Sequence, residues 1–264
     1  MLLSGLLFLA VLAGLAATAP VSTTSKNDTT SRNDTISLQA ADCNAPVAGL
    51  SFEDCLHMNN IGMAGMGDNP FWNNGYIWIG DDGSNRFRFT NTGGVPRTLI
   101  LWDFADGDYQ SSFMNVRRPK ISYSLPSSGS SVTISVGSGI SLGYATLNNR
   151  QTTLSRWGQI FNTWGEATTG NGWPGSATID VSRLVNMNGN PQSVRVAGCL
   201  ADMEWCSFQC KNGLSECGES GSYDLLRCTP DVNPDSGTGW VNGNPEGGCY
   251  GWDNGGDIYI NLGN

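Results

Sequence analysis

Residues 76–91 read YIWIGDDGSNRFRFTN. Two runs of β-branched and aromatic residues flank Asp81-Asp82-Gly83-Ser84, a cluster rich in turn formers. In the second run Phe87 and Phe89 share one face while Arg86 and Arg88 take the other, the two-residue period of a half-buried strand. The segment therefore reads as a β-hairpin. Outward from it, short runs of the same kind predict strands at 97–104, 121–125, 131–137, 140–147, 152–160, 177–184, 192–199 and 257–262, the last returning to the main sheet. Helical periodicity is almost absent. The predicted fold is all-β, a β-sandwich in preference to a closed barrel.

Glycine supplies 35 of the 264 residues, above the roughly 7% norm, but at no fixed period, which argues against solenoids and propellers. Trp72-Asn73-Asn74-Gly75 and Trp252-Asp253-Asn254-Gly255 read as two related turns.

The cysteines divide the chain. Cys43 and Cys55 stand alone; Cys199, Cys206, Cys210, Cys217, Cys228 and Cys249 crowd one later segment, and the 143 residues between Leu56 and Gly198 hold none. Such a cluster behind a leader reads as disulfides in an oxidising compartment. Eight cysteines permit 105 pairings, and the spacing does not choose among them. Isolation alone pairs Cys43 with Cys55, and Cys199 then ties into the C-terminal cluster. The spacing of Cys206, Cys210 and Cys217 lacks the paired short intervals of a zinc site.

Residues 2–15 form an apolar run too short to span a bilayer comfortably, followed by Ala16-Ala17-Thr18-Ala19, a signal-peptide layout over 1–19. Residues 20–41 are rich in Ser, Thr and Asn and carry sequons at Asn27 and Asn33, so a disordered, glycosylated arm is expected there. The body, 42–264, is one β domain whose 199–249 stretch is a disulfide-rich excursion. The expected location is extracellular, with association to the cell wall as one option.

The formal net charge is −9, which argues against nucleic acid or an anionic membrane as partner. The charge is uneven: residues 199–264 hold 10 acids and 2 bases, against 13 and 12 in 20–198. No cofactor motif is present, and no metal is expected. His57 is the only histidine, which removes multi-histidine metal sites and leaves a nucleophile–histidine arrangement one unpromising candidate. Asp103, Asp106 and Asp108 read as turn chemistry, with calcium the weaker alternative. Arg117-Arg118-Pro119-Lys120 is the one basic cluster, a solvated loop, a proteolytic site or an anion contact.

Two chemistries remain. Glu166 and Asp180 lie within strand-like runs, and a pair of carboxylates flanking a glycosidic bond is the requirement for glycoside hydrolysis. Trp72, Trp164, Trp173 and Trp252 sit among Gly and Asn, where flat rings beside amides suit the apolar face of a pyranose.

Some blocks go beyond pattern. Residues 98–103 (TLILWD), 163–166 (TWGE), 172–175 (GWPG), 180–182 (DVS) and 258–262 (IYINL) occur in the order of a family of secreted fungal allergens and effector-like proteins of the Asp f four type, which the chain resembles over about 70–210 and its last strand. More distantly, residues 163–166 and 179–191 resemble thaumatin-like proteins. That resemblance implies a β-sandwich core, a disulfide-rich extension and an acidic cleft for β-glucan, with Glu166 and Asp180 as cleft carboxylates. The second cleft aspartate of that pattern falls near Asn186, which cannot ionise. Together these readings imply a secreted fungal protein that acts by binding, at the cell wall or on a host extracellular protein, as an effector, virulence factor or allergen. A β-glucan-binding module, or a weak β-glucan hydrolase using Glu166 and Asp180, is the alternative.

Overall fold

A computed structural model describes residues 40–263. The expected signal peptide, the sequons at Asn27 and Asn33, and nearly all of the expected arm lie outside the described residues. One helix, α1 (Phe52–Asn60), precedes the strands. These run β1 (Ile77–Ile79), β2 (Asn85–Asn91), β3 (Arg97–Asp103), β4 (Ile121–Leu125), β5 (Ser131–Val136), β6 (Ser141–Asn148), β7 (Trp164–Thr168) and β8 (Thr178–Ser182). Then follow β9 (Gln192–Val196), β10 (Cys199–Ala201), β11 (Ser207–Cys210), β12 (Tyr223–Leu226), β13 (Ser236–Val241), β14 (Asn244–Cys249) and β15 (Gly256–Leu262).

The strands form two mixed sheets. The first has six, in the order β1-β5-β2-β15-β9-β10. The second has nine: β12-β11-β8-β7-β6-β3-β4, with the β13–β14 hairpin joined to it through β14 and β8. Phe87, Phe89, Ile134, Val194 and Ile260 of the first sheet and Leu99, Leu101, Tyr144, Ile179 and Val181 of the second belong to one buried core. Burying such side chains is the main driving term, about 1.5–3 kcal/mol each before entropy. The other face of the second sheet, through Ile100, Trp102, Ala145, Leu147 and Trp164, makes a second core with Cys55 and Met58 of α1.

The predicted hairpin does not form. β1 and β2 flank β5, and each pairs antiparallel with it. The segment between them crosses over β5 at Ser135, whose hydroxyl accepts from Gly83 N at 3.1 Å and donates to Gly80 O at 2.8 Å. A Cβ on Gly83 would lie 2.6 Å from Ser135 Cβ, so only glycine allows that approach. The strand expected at 152–160 is instead irregular, with a single bridge between Leu154 and Ile160. The helix was not expected either. Ser51 caps it by accepting from Asp54 N, and Asp54 turns back to take the Ser124 hydroxyl at 2.5 Å and Arg150 at 2.9 Å. His57 lies on this helix, its Nε2 2.8 Å from Thr152 O.

All eight cysteines are in disulfides: Cys43–Cys55, Cys199–Cys249, Cys206–Cys228 and Cys210–Cys217. The excursion is less loop-like than its composition suggests, since β11 and β12 extend the second sheet beyond β8. The last strand does return to the core. β15 runs parallel to β2 and antiparallel to β9 in the middle of the first sheet. Among the described residues no helix is long and apolar enough to cross a membrane.

Candidate functional site

Glu166 and Asp180 are brought together. Both point away from the inter-sheet core, and they are direct partners in the register of β7 with β8. The same row runs Trp102–Gly143–Glu166–Asp180 across β3, β6, β7 and β8. Direct antiparallel partners hold their Cβ atoms about 4.5–5.5 Å apart, so the two carboxyls sense each other. Trp102 lies flat over Gly143, where a Cβ would meet the indole at 2.6 Å, and Trp102 and Trp164 meet edge to face at 4.9 Å.

The environments differ. Asp180 is only 6% exposed, and its Oδ1 has no hydrogen-bond partner; Glu166 is half-buried. Burial pushes the Asp180 carboxyl well above the ordinary aspartate range, and the neighbouring Glu166 charge adds to it. Burial also raises Glu166, against a partly compensating hydrogen bond from Ser182. Two like charges in such a place do not both ionise readily.

Two residues that the sequence did not single out complete this acidic corner. Burial, then the charges of Glu166 and Glu246, raises the Tyr223 hydroxyl, and β12, which carries it, lies beside β14. Glu246, on β14, is itself raised by burial. Its setting, Asn244-Pro245-Glu246-Gly247-Gly248, has no periodicity that would have marked it. Asn186, the position matched to a cleft aspartate, is occupied elsewhere: its amide donates to Phe161 O and its Oδ1 accepts from Asn188 N.

The four tryptophans divide. Trp164 and Trp252 are core residues, which corrects their reading as sugar platforms. Trp164 donates to Ile160 O at 2.8 Å, and Trp252 donates to Cys249 O and meets Phe87 edge to face. A ring with both faces covered cannot stack on a ligand. Trp72 and Trp173 are 70% and 74% exposed, and Phe71 beside Trp72 is exposed too. Their loops are linked through the turn that follows β5. The turn after β5 bonds to both sides, Gly137 N to Tyr76 O at 2.7 Å and Gly139 N to Thr169 O at 3.2 Å. Gly172 N bonds to Asp253 O at 2.9 Å, and Asp253 also accepts from Gly175 N and Ala177 N. The amides of Asn73, Asn171 and Asn254 belong to the same loops.

The basic cluster is a latch. Arg117 pairs with Asp108, Arg118 with Asp68 and Lys120 with Asp103. Asp103 also accepts the Tyr76 hydroxyl at 2.6 Å, so these aspartates serve loop structure. Among the described residues, the one group close enough to share a metal is Cys199, Cys206 and Cys249, all of which are oxidised.

Compared with known proteins, the chain matches no family model, no curated sequence and no solved structure. The class the fold defines is a disulfide-stapled, two-sheet β protein, and its function rests on the site geometry.

Proposed function

We propose that the protein acts outside the cell by binding a neutral cell-wall polysaccharide, through the aromatic loop end that carries Trp72 and Trp173. The observation that carries this reading is the exposure of both indoles, 70% and 74%, on loops that hydrogen-bond to the same turn after β5. Exposed rings cost solvation and add nothing to the core, whereas a flat ring beside amides matches the apolar face and hydroxyl rim of a pyranose. Four disulfides suit an oxidising, extracellular setting. The two-sheet core with its stapled excursion is in keeping with a thaumatin-like sandwich, and a secreted fungal protein of the effector or allergen type, meeting a wall or a host surface, is the biological setting we propose.

Binding is favoured over turnover. Hydrolysis needs two carboxyls on either side of the scissile bond. Asp180 is only 6% exposed and one of its oxygens is sealed from solvent, so it is poorly placed to reach a glycosidic bond. The test is sedimentation with insoluble β-glucan and with chitin. The native protein is expected in the pellet and the Trp72→Ala/Trp173→Ala protein in the supernatant, with release of reducing ends at background. Native protein that stays in the supernatant with both polymers would overturn the proposal.

A further inference from the structure

A cavity lies between the segment that follows β3 and the stapled loop of Cys210–Cys217. Its volume is about 460 Å³, within the range of roughly 300–1,000 Å³ usual for ligand sites. The segment after β3 contributes Tyr109 and Phe113 to one wall and the stapled loop contributes Leu214 to the other, and Trp157 and Val185 also line the cavity. Tyr109 is 75% and Trp157 43% exposed. The Trp157 ring is held by its neighbour. Arg156 lies over one face of Trp157 at 5.1 Å and pairs with Glu216 of the stapled loop at 2.8 Å, joining the two walls. That leaves the other indole face for a ligand.

We infer that this cavity is a subsite for one or two pyranose units of a neutral glycan. The inference rests on the proposed polysaccharide reading and adds to it a place and a specificity. Three observations favour this occupant. The apolar surface is mainly aromatic, which suits the stacked C–H face of a sugar better than an alkyl chain. Polar groups at the rim suit hydroxyls: Gln159 donates its amide to Ser112, leaving its carbonyl oxygen as acceptor, and Ser155 and Glu219 lie beside it. Arg156 and Glu216 pair with each other, and Glu219 adds a further acidic side chain to the lining, so an acidic sugar is disfavoured.

The test uses soluble trisaccharides and hexasaccharides of β-glucan and of chitin, titrated into the full chain while the Trp157 indole N–H signal is followed by NMR. The expected result is a saturable shift of that signal with one series, identifying the glycan. Tyr109→Ala/Trp157→Ala, whose rings are exposed, is expected to keep the native melting temperature and to lose at least tenfold in trisaccharide affinity. Leu214→Trp, filling the cavity from the other wall, is expected to do the same with the Trp157 signal retained. Trp72→Ala/Trp173→Ala is expected to keep trisaccharide binding while losing the polymer. If the native protein sediments with polymer through Trp72 and Trp173 but neither oligosaccharide series moves the Trp157 signal, the cavity inference is wrong and the proposed function stands. If nothing sediments and no oligosaccharide binds, both fall.

Discussion

Glu166 and Asp180 are direct cross-strand partners, yet the sheet gives them unequal access to water: one oxygen of Asp180 is sealed and unpartnered while Glu166 remains half-open. The strands place two like charges side by side and provide no cation between them. The folded state therefore favours a protonated carboxyl here.

That preference fixes a pH dependence. Both carboxyls are raised by burial, and Asp180 also by its neighbour. Below the unfolded-state values, near pH 4, both states are protonated and nothing is lost. As pH rises through those values towards the raised ones, the unfolded chain ionises first and stability falls; above the raised values the loss is complete. Asp180→Asn is expected to raise stability at pH 8 by on the order of 1–3 kcal/mol and to leave it nearly unchanged at pH 4. Thermal unfolding at the two pH values checks this, and a lower melting temperature of the variant at pH 8 would refute it.

The opposite sign holds on the exposed face of the first sheet. Asp257 accepts from Arg86 Nε at 2.8 Å and from Arg88 Nε at 2.7 Å. The hydrogen bond from Arg86 first, and then that from Arg88, hold its carboxyl down at about 2. Its stabilising effect is present above about pH 4 and is lost as pH falls towards 2. Asp257→Asn is expected to flatten the acid limb of the stability curve, with a change at neutral pH of no more than ~1 kcal/mol because the pair is partly solvated. Urea unfolding between pH 2 and 7 gives the comparison.

Gly143→Ala tests the approach of Trp102. The added methyl would stand 2.6 Å from the indole, and Trp102 is locked against Trp164 and Phe104. Overpacking of this kind costs about 1–3 kcal/mol. The expected readout is a lower urea midpoint with an unchanged slope, together with altered near-ultraviolet dichroism from the tryptophans.

The disulfides should differ in worth according to the chain each one closes. Cys199–Cys249 spans 50 residues and Cys210–Cys217 only 7. Loop-closure entropy gives about 4 kcal/mol for the first and about 2 kcal/mol for the second. Paired Cys→Ala variants are expected to lose stability in that order, measured by chemical denaturation under oxidising conditions. Losing the shorter bond should also loosen one wall of the aromatic cavity and weaken trisaccharide binding.

Alternation made the strands legible. Phe87 and Phe89 against Arg86 and Arg88 announced a half-buried strand, and the structure buries the two rings and leaves the arginines at the surface. Partnership was not legible, because the same alternation is satisfied whether β2 pairs with β1 or with β5; what decides is the seat of Gly83 on Ser135, a contact between residues 52 apart in sequence. The short helix escaped notice because nine residues carry little periodicity, although Ser51 with Asp54 is a cap signal. The carboxylate pair could be found because both residues interrupt apolar strands. Glu246 could not, since only the return of β14 to the edge of β8 brings it near. Tryptophan burial was ambiguous for a similar reason: Trp72-Asn-Asn-Gly and Trp252-Asp-Asn-Gly are alike in sequence, but Trp252 directly follows the chain from Cys249 into the core and Trp72 does not.

The central place of β15 sets the order of events during folding. Its parallel partner β2 lies about 170 residues earlier, as the contact of Arg86 with Asp257 measures (171 residues), so a chain lacking residues 256–262 has no seam between β2 and β9. Pairings this distant in sequence make for slow folders, on the scale of milliseconds to seconds. Cys199–Cys249 closes just after β9 and just before β15. Once oxidised, those two strands search for each other from short tethers instead of across the whole stapled excursion. Oxidation of that one pair then sets the pace at which the first sheet is completed.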